Sequence, residues 1–299
     1  MVDLYKHKDS NIRKTWLLMT VFLVLVIAVG FAISYFMQSG IILYIAVAVA
    51  IIMNLVAYWN SDKIALSWSG ATPIKRENHL ELFRIVENLS ITAGLPMPRL
   101  YIMHSPQINA FATGRDPNHA AIAVTEGALS RLEKAELEGV IAHELSHIGN
   151  RDILVSTVVV VLAGVIAIMT DIFLRVGLFG GKGDDNRGGG GVMLLISLLM
   201  FILAPIAASL IRNSVSRKRE YLADSSGALL TRYPAGLASA LEKIGNDHNH
   251  MHKAHNATAH LFISSPFKGK EKAGWFVKLF STHPPVEDRI RILRGMEVK

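Results

Sequence analysis

The sequence contains no cysteine in its 299 residues. This absence excludes a disulfide framework, catalysis by a thiolate and any zinc site built on cysteine ligands. A metal ion in this protein must therefore be held by His, Asp or Glu side chains.

Charged residues are scarce as well, at 18% of the chain, whereas ordinary soluble domains carry about 25%. With 51% hydrophobic residues and a positive mean hydropathy, the composition favours contact with a lipid bilayer. The formal net charge of +7 does not indicate a nucleic-acid partner, because the basic residues are scattered or lie beside apolar runs and form no single block. Basic residues that flank membrane spans explain the charge better.

Four apolar runs are each long enough for a helix that crosses a hydrocarbon core, which needs about 20 residues. They lie at residues 16–37, 41–59, 153–174 and 192–211. The first two runs predict one transmembrane hairpin and the last two predict a second. The first run is too long for a cleaved signal peptide and is followed at once by another span.

The polar segments around these runs predict a water-exposed domain that is divided in the sequence. Residues 1–59 form the N-terminal segment and first hairpin, 60–152 the first part of the domain, 153–211 the second hairpin and 212–299 the second part. We therefore expect an integral-membrane protein, mainly α with a small β-sheet, in which four transmembrane helices carry an α+β domain.

Local patterns within residues 60–152 predict the elements of this domain. An amphipathic helix is expected over Glu77–Ala93, and three short strands over Arg99–Met103, Asn109–Thr113 and Ala120–Thr125. A polar helix is expected to begin near Ser130 and to continue into the third apolar run. That continuity would place the helix close to the membrane surface.

The distribution of basic residues predicts the orientation in the membrane. The first short loop has none, whereas the larger side carries Lys6, Lys8, Arg13, Lys14, Arg212, Arg217, Lys218 and Arg219. The positive-inside rule places that larger side in the cytoplasm. Three basic residues in the second loop, Arg175, Lys182 and Arg187, weaken the bias.

The segment from His143 to His147 reads HELSH, an HExxH pattern on a predicted helix. Histidines four residues apart project from one helical face, so both imidazoles can bind one Zn²⁺. Glu144 lies beside the metal, from where its carboxylate could take a proton from the attacking water and pass it to the leaving amine. Such a pattern also occurs by chance on solvated helix faces.

A second acidic motif follows the second predicted hairpin. Glu220 and Asp224 share a helical face, so Glu220 can supply a third metal ligand while Asp224 orients a ligand imidazole. Two His and one Glu leave a fourth position open for water, as in hydrolytic zinc sites. Beside three basic residues, Glu220 could instead form an ordinary surface ion pair, but its occurrence together with the first motif favours one Zn²⁺ per chain. Other divalent ions stay open.

These motifs resemble those of the HtpX family of membrane-embedded zinc endopeptidases, relatives of the prenyl-protein endoproteases. The resemblance covers nearly the whole chain and includes Asn109–Gly114, His143–Asp152, Glu220–Asp224, Ala257–Phe262 and Ser281–Pro285, with Arg289 after them. It implies a gluzincin-like metalloprotease domain and proteolysis of membrane and misfolded proteins. It also implies protein quality control under stress at the cytoplasmic membrane of a bacterium.

Two further assignments concern the substrate. A peptide bond must be presented in extended form, and an exposed strand edge does this through main-chain hydrogen bonds. The candidate edge strand consists of Ala110, Phe111, Ala112, Thr113 and Gly114. The alternative is an interior strand with Phe111 in the core.

The family resemblance also implies that His283 lies near the site, where its imidazole could donate to the developing oxyanion. Tyr221 is a competing donor, and either residue could be structural.

One additional site and two other functions are also compatible with parts of the sequence. The run of histidines from His248 to His260 could bind a second metal ion, although such runs are more often solvated surface. A transporter would need ionisable residues within its spans, and the runs at 16–37, 41–59 and 192–211 contain none. A catalytically inactive, zinc-stabilised membrane scaffold is the third alternative, but it would have no need of Glu144.

Overall fold

The computed structural model of the chain describes residues 4–36, 38–179, 217–251, 255, 257–267 and 284–296. In these residues the protein is mostly helical, with one small mixed sheet. The fourth predicted span at 192–211, the loop before it and His283 lie outside the described residues.

The first two helices pair along their length. Helix α1 spans Leu4–Phe36 and α2 spans Ile41–Trp68. Both are long and apolar enough to cross a membrane, as expected for the first hairpin. Helix α2 continues beyond the predicted run of 41–59, because its last turns belong to the domain. There Asp62 is buried and forms a 2.5 Å ion pair with Arg99.

The sheet has four strands in the order β1-β2-β4-β3. They are β1 (Ala71–Pro73), β2 (Arg99–Met103), β3 (Ala110–Gly114) and β4 (Ala120–Thr125). Strands β2 and β4 run parallel, and the other two pairs are antiparallel. The predicted small sheet is confirmed, with β2 and β4 at their predicted bounds, β3 displaced by one residue, and β1 not predicted.

The helix expected to begin near Ser130 is two helices, α4 (Glu126–Arg131) and α5 (Lys134–Gly149). Before them, α3 spans Leu80–Ala93 and ends at Gly94 in the left-handed conformation. A reciprocal capping box begins α5, because the Glu133 side chain accepts from the Glu136 backbone and the Glu136 side chain accepts from the Glu133 backbone.

The expected continuity between the HExxH helix and the third apolar run is wrong. Helix α5 ends at Gly149, and α6 (Asp152–Phe179) leaves at an angle of 83° after the break. Arg151 has a positive φ of 59°, which is incompatible with a continuous right-handed helix. The bent pair counts as one further candidate span at most, so the described residues contain two or three.

The first half of α6 lies inside the protein. Val158, Val160 and Leu162 are at most 1% exposed. Helix α6 packs on α1, α2 and β3, which explains why this part of the sequence is apolar on every side. The third predicted run therefore begins in the core of the protein.

Helix α5 is the centre of the domain. Every residue from Gly139 to Leu145 is buried, so this part of the helix is surrounded by protein on all sides. Three helices from the second part of the chain complete the packing: α7 (Arg217–Thr231), α8 (Pro234–Gly245) and α9 (Val286–Arg294). Helices α7 and α8 pack directly on α5.

The contact of α8 with α5 depends on Gly139, because a Cβ atom there would lie 2.7 Å from the backbone nitrogen of Leu237. We expect Gly139→Ala to lower the free energy of unfolding by about 1–3 kcal/mol. At Gly149, on the same helix, the nearest atom would be 3.7 Å away, so Gly149→Ala should leave stability unchanged or slightly raised. Melting temperatures of the purified proteins in detergent provide the test. Equal melting temperatures for the two variants would contradict this account of the helix contact.

Candidate functional site

Three side chains from two helices converge on one point. His143 and His147 lie one turn apart on α5, and their Nε2 atoms are 3.2 Å apart. Glu220 of α7 faces them, with Oε2 3.8 Å from Nε2 of His143 and Oε1 3.6 Å from Nε2 of His147. Within the described residues this is the one group of His, Asp and Glu side chains that could hold a metal ion.

The spacing of these atoms fits one metal ion. Zinc bound tetrahedrally at about 2.1 Å from each ligand keeps the ligand atoms about 3.4 Å from one another. The observed separations of 3.2, 3.6 and 3.8 Å lie close to that value. Two imidazoles and one carboxylate also form the donor set of hydrolytic zinc sites.

Small residues bring α7 close enough to α5 to place Glu220. Ala223, Gly227 and Ala228 are buried on α7, and a Cβ atom at Gly227 would lie 3.0 Å from the backbone nitrogen of His143. Glu220 and Gly227 are two helical turns apart on the same face. The close helix contact therefore aims the Glu220 carboxylate at the histidines.

A buried carboxylate and a guanidinium group stand behind His143. Oδ1 of Asp224 lies 2.9 Å from Nδ1 of His143, and Arg289 of α9 donates two hydrogen bonds to Asp224, of 2.8 and 2.7 Å. Burial acts to raise the pKa of Asp224. The charge of Arg289, its hydrogen bonds and the nearby His143 imidazole outweigh it, and the pKa falls to about 2.

A second carboxylate stands behind His147. Oδ2 of Asp152, the first residue of α6, lies 3.0 Å from Nδ1 of His147, and the Nε atom of Arg219 lies 3.6 Å from Oδ1 of Asp152. Each candidate ligand imidazole thus has its other nitrogen near a carboxylate that faces an arginine. Such partners fix the tautomer and the orientation of a metal-binding histidine.

Glu144 lies in the wall of a small cavity at the same point. Its side chain is 2% exposed, and its carboxylate accepts a hydrogen bond from the backbone N–H of Ala112. Burial raises the pKa of Glu144, and the nearby His143 and His147 partly offset that effect. The cavity has a volume of about 30 Å³, enough for an ion with a water molecule.

The charges around the cavity also favour a divalent cation. Four buried carboxylates face two buried guanidinium groups, namely Glu144, Asp152, Glu220 and Asp224 against Arg219 and Arg289. A divalent cation held by His143, His147 and Glu220 would lie among these four carboxylates. Buried charge is costly unless it is paired or bound to a metal ion. The group of carboxylates and the donor set therefore both favour a bound cation.

Strand β3 is at the edge of the sheet as the described residues show it, and the backbone of alternate residues faces away from β4. The carbonyl of Ala110 accepts from the N–H of Ile263 at 3.0 Å, and the N–H of Gly114 donates to Oγ1 of Thr157 at 3.3 Å. Ala112 lies between them at the cavity wall. The side chains of β3 are all buried, and Phe111 packs against Phe262 at a centroid distance of 5.0 Å.

The remaining candidates from the sequence are His283, Tyr221 and the histidine run. His283 lies outside the described residues, so its role stays a prediction. Tyr221 is part of α7 and partly buried. Of the histidine run, His260 is buried in the cavity wall, with Nε2 3.2 Å from the carbonyl oxygen of Ser156. The described members of that run do not form a second metal-binding group.

Sequence reasoning missed the contacts of Asp152 and Arg289. The sequence marks Asp152 only as the last residue of the family motif His143–Asp152, five residues after His147 and at the start of an apolar run. Arg289 was noted as part of a family motif, but nothing in the sequence pairs it with Asp224, which lies 65 residues away in the chain.

Comparison with known proteins identifies the class. The family model described as Peptidase family M48 matches residues 76–297, which include all the candidate metal ligands. The chain therefore belongs to peptidase family M48. With its apolar helices, it is a membrane protein of a metalloprotease family.

Similar proteins within peptidase family M48 are HtpX homologs. The Protease HtpX homolog of Caldanaerobacter subterraneus subsp. tengcongensis is 47% identical over 300 residues, covering 99% of this chain and 98% of that protein. The homolog of Pyrococcus furiosus is 49% identical over 288 residues, with 96% of each chain covered. That of Dictyoglomus thermophilum is 44% identical over 293 residues, covering 98% of this chain and 94% of that protein. These similarities confirm the resemblance to the HtpX family.

A solved structure shares the fold. The crystal structure of S. mikatae Ste24p matches with a TM-score of 0.50 at 17% sequence identity, covering 97% of this chain and 67% of that chain. At this identity the match concerns the fold alone.

We expect Zn²⁺ to displace a proton from His147 when it binds. Burial opposes the charged imidazole, but the hydrogen bond to Asp152 and the charges of Glu220, Asp152 and Glu144 raise the pKa of His147 to about 9. Because a ligand imidazole must be neutral, zinc affinity should rise with pH up to about 9, by about tenfold per pH unit.

Titration calorimetry of chelator-treated protein near neutral pH, in buffers of different ionisation enthalpy, measures the protons released. Asp152→Asn removes the carboxylate that favours protonation of His147, so this variant should release fewer protons than the wild type. A heat of binding that is the same in every buffer would contradict the prediction.

Proposed function

We propose that this protein is a membrane zinc endopeptidase that hydrolyses peptide bonds of membrane or misfolded proteins. One Zn²⁺ per chain would be held by His143, His147 and Glu220, with Glu144 as the general base. The observation that carries the proposal is the burial of Glu144 in the same cavity wall as the three candidate ligands.

A bound Zn²⁺ supplies the Lewis acidity that activates water for attack on a carbonyl carbon. Glu144 accepts the proton of the attacking water and then donates it to the leaving amine. A carboxyl group whose pKa is raised by burial is suited to both steps, because the efficiency of a general acid or base increases as its pKa approaches the operating pH. Asp224 and Asp152 hold the two imidazoles in place.

The scaffold alternative has less support. A structural zinc needs no general base, and burying a carboxylate that binds no partner of opposite charge is costly. Glu144 is 2% exposed and accepts from the N–H of Ala112, but it is not among the three grouped metal-ligand candidates. Its position is explained if it acts on a substrate.

For the substrate we propose main-chain pairing with β3, centred on Ala112. The backbone of Ala110 and Gly114 on the outer edge is bonded to other parts of the protein. Ala112 lies at the cavity with its N–H towards Glu144, so a substrate strand that pairs there would replace this contact. Pairing through backbone atoms is largely indifferent to side chains, which suits a protease of misfolded proteins. His283 or Tyr221 is proposed as the donor to the oxyanion.

We further propose that the site lies at the membrane surface and faces the cytoplasm. Asn11, near the start of the first candidate span, is hydrogen-bonded to Asp152 beside His147. The polar end of α1 is therefore level with the metal ligands, and its apolar run begins at Trp16. The cytoplasmic orientation follows from the positive-inside rule.

The test of the proposed function is Glu144→Gln. The variant should retain one Zn²⁺ per chain and lose cleavage of an unfolded protein by at least about a hundredfold. Glu138→Gln is the matched control, since Glu138 lies on the same helix in a surface pair with Lys134, and it should retain wild-type activity. Zinc content and cleavage are measured on purified protein in detergent.

Absence of zinc from the wild type would sink the proposal. Cleavage by Glu144→Gln at the wild-type rate would remove Glu144 from the role of general base. If the wild type binds zinc but fails to cut a series of unfolded and membrane-protein substrates, the scaffold alternative would replace the enzyme.

Peptide substrates methylated on a backbone nitrogen test the proposed main-chain pairing. A methyl group on an amide next to the scissile bond should lower kcat/KM by about tenfold for each hydrogen bond lost. The same methyl group near the end of the peptide is the control and should have little effect. Equal effects at both positions would argue against pairing at Ala112.

A further inference from the structure

Asn11 lies at the break between α5 and α6, although it belongs to α1. Its side chain is 2% exposed, and its Nδ2 group donates to Oδ1 of Asp152 at 2.8 Å and to the carbonyl oxygen of Asn150 at 3.1 Å. One amide group therefore contacts both the end of α5, which carries His147, and the start of α6.

The oxygen of the same amide is also bonded. Nη1 of Arg219 donates to Oδ1 of Asn11 at 3.3 Å, and Arg219 is the residue before Glu220 on α7. The amide is thus hydrogen-bonded to segments adjoining two of the three candidate ligands. A side chain with both a donor and an acceptor is needed here, because one neighbour is a carboxylate and the other a guanidinium group.

The hydrogen bonds of Asn11 fix the orientation of the Asp152 carboxylate relative to His147. One oxygen of the Asp152 carboxylate faces Nδ1 of His147 at 3.0 Å, and the other accepts from Asn11. Two partners on opposite oxygens fix the plane of the carboxylate. The bond to the Asn150 carbonyl holds the end of α5 against the same amide, so the distance between His147 and Asp152 depends on α1.

We propose that Asn11 is a positioning residue of the metal centre, acting on His147 through Asp152. The inference rests on the proposed function, because it requires that His147 bind a metal ion. It assigns a second role to α1, which holds the protein in the membrane and also completes the environment of a metal ligand in the catalytic domain.

The experiment compares zinc affinities of full-length variants in detergent by competition with a chromophoric chelator. Asn11→Leu removes both hydrogen-bonding groups at similar volume, and Asn11→Ala serves if the leucine variant does not fold. Thr15→Val is the matched control, since Thr15 is equally buried one turn further along α1 and its hydroxyl donates to the carbonyl of Asn11 within the same helix.

Asn11→Leu should weaken zinc binding by about tenfold, as changes behind a metal ligand do, and Thr15→Val should not. Because Asn11 acts through Asp152, Asn11→Leu combined with Asp152→Asn should bind zinc no more weakly than Asp152→Asn alone. A purely structural role would lower the melting temperature of the chelator-treated protein and leave zinc affinity unchanged.

Unchanged affinity in Asn11→Leu, or full additivity with Asp152→Asn, would overturn the inference and leave the proposed function intact. Failure of the wild type to bind zinc would instead overturn the proposed function and this inference together. The wild-type measurement therefore separates the two failures.

Discussion

An imidazole can hold a metal ion through one nitrogen in a fixed direction only if its other nitrogen has a partner. Much of this structure meets that requirement twice. His143 is against Asp224 and Arg289, and His147 is against Asp152 with Arg219 beyond it. Helices α5, α6, α7 and α9 each supply a side chain to these two sets of contacts. The packing of these four helices therefore fixes the direction in which the two imidazole nitrogens point.

The same requirement joins the domain to its membrane helices. Asp152 is the first residue of α6, whose next four turns are buried in the protein. Helix α2 extends beyond its apolar run to pair Asp62 with Arg99 of the sheet. Of the apolar helices, α2 therefore ends and α6 begins among buried residues of the domain.

The sequence was sufficient where a signal is local. Strands β2 and β4 are short apolar stretches between turn residues, and the candidate ligands stand out by their spacing. Strand β1 was missed because three residues become a strand only by pairing with β2. The break at Arg151 was missed although Gly149 and Asn150, residues common at helix ends, precede it. The partners Asp152 and Arg289 were missed because contacts across a bend or between distant segments leave no periodic pattern.

The order of the site residues along the chain has a consequence for biosynthesis. The two histidines are made first, Glu220 and Asp224 only after the apolar runs at 153–174 and 192–211, and Arg289 later still. A nascent chain therefore lacks the complete set of candidate ligands until Glu220 has been translated. The order of residues along the chain thus delays the candidate metal site until every apolar run of the sequence has been translated.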